Sequence, residues 1–204
     1  MTISTLAELR AAVQNWTHRS SLASARIDEF IFNAEGRIRK EIRVREMETD
    51  ATVTVSAQTA SLPTGFIGMR RFYLTTDPIA LLKFVSPEDY WSSWGSSRTG
   101  QPQEFTIEGD LFKFGPTPDT TYTGKALCYA LTSLLTTVPT LFTNHPDLYL
   151  YATLVESAPY LANTARLGEW EALYQRSKAT VERSDRRDRQ SSGSLTMRPS
   201  TTNP

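Results

Sequence analysis

The sequence predicts an α+β protein: a four-helix bundle formed by N- and C-terminal helix pairs, with an inserted antiparallel β-rich lobe and a flexible C-terminal tail. Three observations predict it. Apolar residues recur at helical spacing before Thr49 and again after Pro139. The intervening stretch alternates apolar with polar residues and is punctuated by Gly and Pro turns. Both helical halves carry apolar stripes, and closing them on each other would bury both. The expected divisions are 1–48 for the first helix pair, 49–138 for the β-rich lobe, 139–189 for the second helix pair and 190–204 for the arm.

Each element has a local reason. Thr5 and Glu8 form a capping box, and Leu6, Leu9, Val13 and Trp16 follow on one face, giving a short helix to His18. Ser24 opens a longer one with Ile27, Phe30, Ile31, Ala34, Ile38 and Ile42 in a stripe. Gly36 lies inside it at a cost of about 1 kcal/mol against alanine; a close helix crossing would account for it, as would chance. Thr52–Val55 alternates as a strand. Met69–Leu74, Ala80–Val85 and Tyr122–Ala130 are rich in strand formers. Glu108-Gly109-Asp110 joins Phe105–Ile107 to Leu111–Phe114 as a tight hairpin. Ser93–Gln103 reads as a loop. About five or six strands with short connections suggest antiparallel pairing.

After Pro139, Asn144 or His145 can cap a helix whose first position is Pro146. Leu148–Ala162 is apolar almost all round, with Glu156 its only charge, so it should be buried. Pro159 should kink it. Arg166–Ser184 is the last helix, with Leu167, Trp170, Tyr174, Ser177 and Val181 on one face. It gives way to Arg183, Arg186, Arg187 and Arg189. Residues 191–204 hold no aromatic side chain. Such a tail suits an arm that orders on a partner, and Met197 and Arg198 join the four arginines as its candidate contacts.

Lys+Arg and Asp+Glu are both 22, so the net charge is zero, which argues against free binding to nucleic acid. The balance is uneven: from Arg176 onward there are seven Lys/Arg and three Asp/Glu, and the body is correspondingly acidic. Cys128 is the only cysteine, which excludes an intrachain disulfide and a cysteine metal cage, and a reducing compartment is expected. No apolar run suits a signal peptide or a membrane span. The expected setting is the cytosol, or an assembly built there.

No catalytic pattern stands out. His18 and His145 lie far apart in sequence near helix boundaries, and no Gly-x-Ser-x-Gly elbow supports a triad. No His/Cys/Asp/Glu cluster has zinc spacing. Gly65-Phe66-Ile67-Gly68 lacks the lysine of a phosphate loop. The pairs Asp28-Glu29, Glu46-Glu48 and Glu88-Asp89 read as solvated residues. No catalytic residue, cofactor or metal is expected. The basic run Arg37, Arg39, Lys40, Arg43 and Arg45 reads either as a solvated helix end or as a face for DNA or an acidic partner. Tyr90, Trp91 and Trp94 read either as core anchors or as a subunit interface.

The ordered set of residues resembles the head-to-tail adaptor (connector, tail tubular or head-completion) proteins of tailed bacteriophages. The likeness runs through Thr5-Leu6-Ala7-Glu8-Leu9-Arg10 and Trp16, Ile27-Asp28-Glu29-Phe30-Ile31, Ala34-Glu35-Gly36-Arg37-Ile38 and Arg45-Glu46-Met47-Glu48. It continues through Leu62-Pro63, Phe66, Met69-Arg70-Arg71, Gly100-Gln101-Pro102 and Phe105–Asp110. It ends with Asp147–Tyr151, Glu156–Leu161, Trp170 and Tyr174. The resemblance covers roughly residues 1–190. It implies a helical bundle with an inserted β portion, and no catalytic residues.

It also implies a homo-oligomeric ring, usually twelve-fold, that binds the portal protein above and tail or nozzle proteins below. Such a ring sits at the head–tail interface of the virion after assembly in the host cytoplasm. Genomic DNA would pass through its channel without sequence-specific binding, and no membrane is involved. The C-terminal segment would reach the portal. Two other readings differ in class: a DNA-binding module using the Arg37–Arg45 face, and a small hydrolase with its site in the β lobe.

Overall fold

In the computed structural model, the structure describes residues 3–94, 98–162 and 164–190. Six α-helices and seven strands are present among them. The helices are α1 (Leu6–Thr17), α2 (Ser24–Glu41), α3 (Pro87–Ser93), α4 (Thr140–Asn144), α5 (Pro146–Leu161) and α6 (Thr164–Gln190). The strands are β1 (Glu48–Val55), β2 (Thr59–Ser61), β3 (Phe66–Leu74), β4 (Ala80–Phe84), β5 (Glu104–Glu108), β6 (Leu111–Gly115) and β7 (Tyr122–Ala130).

The strands form one sheet in the order β1-β7-β3-β4-β5-β6-β2. Its two outermost strands, β1 and β2, come back into contact, so the sheet is a nearly closed barrel. Alternation explains its interior. Val53 and Val55 of β1 and Gly124, Ala126 and Cys128 of β7 point inward at every second position. Phe72 sits at the centre, with the rings of Phe105, Phe112 and Phe114 at 5.5, 5.3 and 5.2 Å. Gly124 leaves room for it: a Cβ there would lie 2.7 Å from the Phe72 ring.

The expectation of a four-helix bundle with an inserted antiparallel lobe is therefore incorrect. The helices do not share one four-way seam. The buried α5 is the hub, with α1, α2, α4 and α6 laid against it, and α3 belongs to the barrel side, on β5. The barrel does not stand apart from the helical core either. Leu131 and Leu134, which follow β7, join α1, α2, α5 and α6 in one apolar cluster, and Ile67 of β3 and Tyr129 of β7 pack against it. Pairing is not wholly antiparallel, because β4 joins β5 in parallel through Lys83 and Phe84.

Smaller expectations are also corrected. α3 forms at the edge of the stretch read as a loop, started by Ser86 and Pro87. β2 is an additional strand of only three residues, too short to show an alternating pattern. α6 continues past Ser184 to Gln190. A Cβ on Gly36 would meet nothing within 4 Å, so no close helix crossing demands that glycine. No helix among the described residues is long and apolar enough to cross a membrane.

Candidate functional site

The basic face is largely turned to internal work. Arg37 is held by α6 and its own helix: its guanidinium donates to both oxygens of Glu171 at 2.6 and 2.8 Å and to Glu41 at 2.9 Å. It also lies over the Tyr174 ring at 4.4 Å. Fork geometry of this kind suits arginine and not lysine. Bonds from Arg37 hold the Glu171 carboxyl below its usual range. Burial alone would push Glu41 up, but bonds from Lys178, Arg37 and Tyr174 outweigh it and hold it low. Arg39 donates to the Leu131 carbonyl at 2.6 Å. Arg43 caps the end of its own helix, donating to the carbonyls of Arg39 and Ile42. Lys40, Arg43 and Arg45 are exposed, and Arg45 meets Asp188 at 3.4 Å. The five residues therefore do not form one free cationic surface.

The aromatic trio also divides. Tyr90 is fully buried, donates to the Phe114 carbonyl at 2.9 Å and accepts from Gln58 at 3.1 Å. Trp94 is half-buried against the α-carbon of Gly115, where a Cβ would come within 2.5 Å of the indole. Its Nε1–H donates to Glu104 at 2.7 Å. Trp91 remains 50% exposed, with Lys113 over its ring at 4.3 Å and its Nε1–H on Glu108. The Lys113 ammonium holds the Glu108 carboxyl below its usual range.

The arm arginines begin as helix. Arg183, Arg186 and Arg187 are exposed on α6. Arg189 is docked on the barrel, donating to Asp185 at 2.7 Å, to Glu48 of β1 at 3.1 Å and to the Tyr129 hydroxyl at 3.4 Å. Met197 and Arg198, and the flexible tail expected around them, lie outside the described residues.

One polar site escaped the sequence reading. Glu35 of α2 is 3% exposed and accepts from the Leu134 amide at 2.5 Å and the Ser133 hydroxyl at 2.7 Å. Burial pushes its carboxyl up. Its neighbour Tyr149 is buried with a hydroxyl that has no hydrogen-bond partner among the described residues. The only signal in the sequence was a glutamate next to Ala34, inside the apolar stripe. The role is to tie the chain after β7 to α2.

Among the described residues no group of three or more His, Cys, Asp or Glu side chains could hold a metal ion. The family profile described as SU10 adaptor protein matches residues 4–198. The chain belongs to this family of phage head-tail adaptors. No curated protein matches it. In this adaptor, bare apolar side chains occur on both parts of the fold. Phe32, Leu135, Val138 and Tyr160 are exposed on the helical part; Ile79, Leu81 and Phe84 are exposed on the barrel. Scattered apolar exposure is ordinary on a protein surface.

Proposed function

We propose that copies of this adaptor close into a ring beneath the portal, join the capsid to the tail and continue the DNA channel. The family match over residues 4–198 carries the reading. The work is assembly and not chemistry, so no residue is assigned a catalytic role. The ring is twelve-fold, as the resemblance implies, and forms at the head–tail interface after synthesis in the host cytoplasm. Neighbouring copies meet through the two sets of exposed apolar side chains, with Trp91 on the barrel side. Because a heterologous interface pairs two different patches, one set on each part suits a closed ring. Arg183, Arg186 and Arg187 on α6, together with Met197 and Arg198, reach the portal. Ring avidity offsets the ordering entropy of that arm. A neutral chain suits a channel through which DNA slides without being gripped.

The test is the light-scattering mass of the purified adaptor with and without its portal. A complex containing many copies per portal is expected. A monomer that ignores the portal at every concentration would exclude the ring. The arm is tested by ending the chain at Arg189: portal affinity should fall, and an unchanged affinity would remove the arm from the interface.

A further inference from the structure

β3 is paired along its full length on one side only. β7 runs beside Phe66–Leu74, whereas β4 meets β3 only from Phe72 to Leu74. β4 then leaves β3 and joins β5 at Lys83 and Phe84. The edge of residues 66–71 that faces away from β7 therefore has no strand beside it among the described residues. The same holds for β5 beyond Phe105 on the side away from β6. Between these edges lies a groove of about 510 Å³, lined by Met69, Phe72, Leu82, Phe84, Phe105 and Ile107 among others. A bare strand edge above an apolar groove is a template for one extended segment.

The path of the chain supplies the occupant. α6 ends at Gln190, one residue after Arg189 has bonded Glu48 of β1 and Tyr129 of β7. Arg70 of β3, which lines the groove, bonds the same Glu48 and lies over the same Tyr129 ring at 5.7 Å. Arg189 thus ties the end of α6 to β1 and β7, and β3 is the next strand of the sheet. Five extended residues reach about 17 Å. Residues 191–204 contain two apolar side chains, Leu195 and Met197, separated by Thr196. In an extended strand both fall on one face, and Pro199 then ends the ladder.

We propose that, in the free protein, the chain's own Leu195–Met197 adds as a short strand to the β3 edge and seats Leu195 and Met197 in the groove. The inference goes beyond the adaptor reading and does not rest on it. A portal that captures the arm has to draw it out of this groove.

Hydrogen exchange of peptides covering residues 66–71 tests it. Three chains are compared: the full chain, a chain ending at Gln190, and the full chain with Leu195→Asp and Met197→Asp. Peptides from α2 and α5 report that each is folded. The full chain should exchange at the β3 edge roughly tenfold more slowly than the other two. That protection should not change over about two decades of protein concentration. Equal exchange in all three chains would overturn the proposal. Protection that grows with concentration would overturn it too, because the occupant would then come from a second copy.

Discussion

Arg37 and Glu171 stand 134 positions apart in the sequence, and the guanidinium of one meets both carboxylate oxygens of the other. The pair fastens α2 to α6, with Tyr174 stacked beneath the cation and Glu41 beside it. Arg37→Lys keeps the charge but loses the fork and the stacking. It should lower unfolding stability by roughly 1–2 kcal/mol, read as the shift in a urea midpoint. Arg37→Ala should cost more, because Glu41 and both oxygens of Glu171 lose the bonds it donates. The carboxyls of Glu41 and Glu171 are held low in the folded state. Their stabilisation is complete above the unfolded value of 4.5 and is lost as pH falls through the folded values.

Glu35 should behave in the opposite sense. Burial raises its folded value above 4.5, so folding strengthens proton binding. The favourable contribution is fully present below 4.5 and is lost as pH rises through the raised value. Glu35→Gln does not titrate and keeps an acceptor for the Leu134 amide. The stability of the parent relative to Glu35→Gln should therefore decline as pH climbs from 4.5. A pH-independent difference would contradict this. Glu35→Ala should cost about 2–3 kcal/mol, since it orphans the Leu134 amide.

Tyr149→Phe should be neutral or stabilising. The phenol is buried without a hydrogen-bond partner among the described residues, and burial pushes its ionisation far above the usual range. Removing an unsatisfied hydroxyl while keeping the ring removes a desolvation cost of about 1 kcal/mol or more. A thermal melt that drops by several degrees would refute the reading.

Gly124→Ala should displace Phe72 from its aromatic cluster. The new methyl would sit 2.7 Å from the ring, so the barrel must shift. A loss of about 1–3 kcal/mol is expected. Gly115→Ala should act more locally by pushing the half-buried Trp94 outward. A red-shifted tryptophan emission with a smaller change in stability is its signature.

The local features were legible because they depend on neighbours in sequence. The Thr5–Glu8 capping box forms as its spacing requires, with the Thr5 hydroxyl accepting from the Glu8 amide at 3.2 Å. The apolar stripe of α2 faces the core, and the Glu108–Leu111 hairpin closes around Gly109 at φ +58°. The closure of the barrel was not legible. It depends on β4 leaving β3 for β5, and no local pattern at Leu82 or Lys83 announces which edge they will join. Charge was misleading in a similar way. Arg37 looked like part of a basic face because Glu171, its main partner, is remote in sequence. Tyr90, Trp91 and Trp94 read as a group but fall into a buried, an exposed and a half-buried setting.

α6 is fastened at two points, two turns in by Glu171 to α2 and near its finish by Arg189 to β1. Its 27 residues make a rod of about 40 Å. A pull on the residues beyond Gln190 is thus shared along a stiff strut between the helical core and the barrel. Load applied there falls first on the Arg189 contacts to β1 and β7 and then passes along the helix to the Arg37–Glu171 pair.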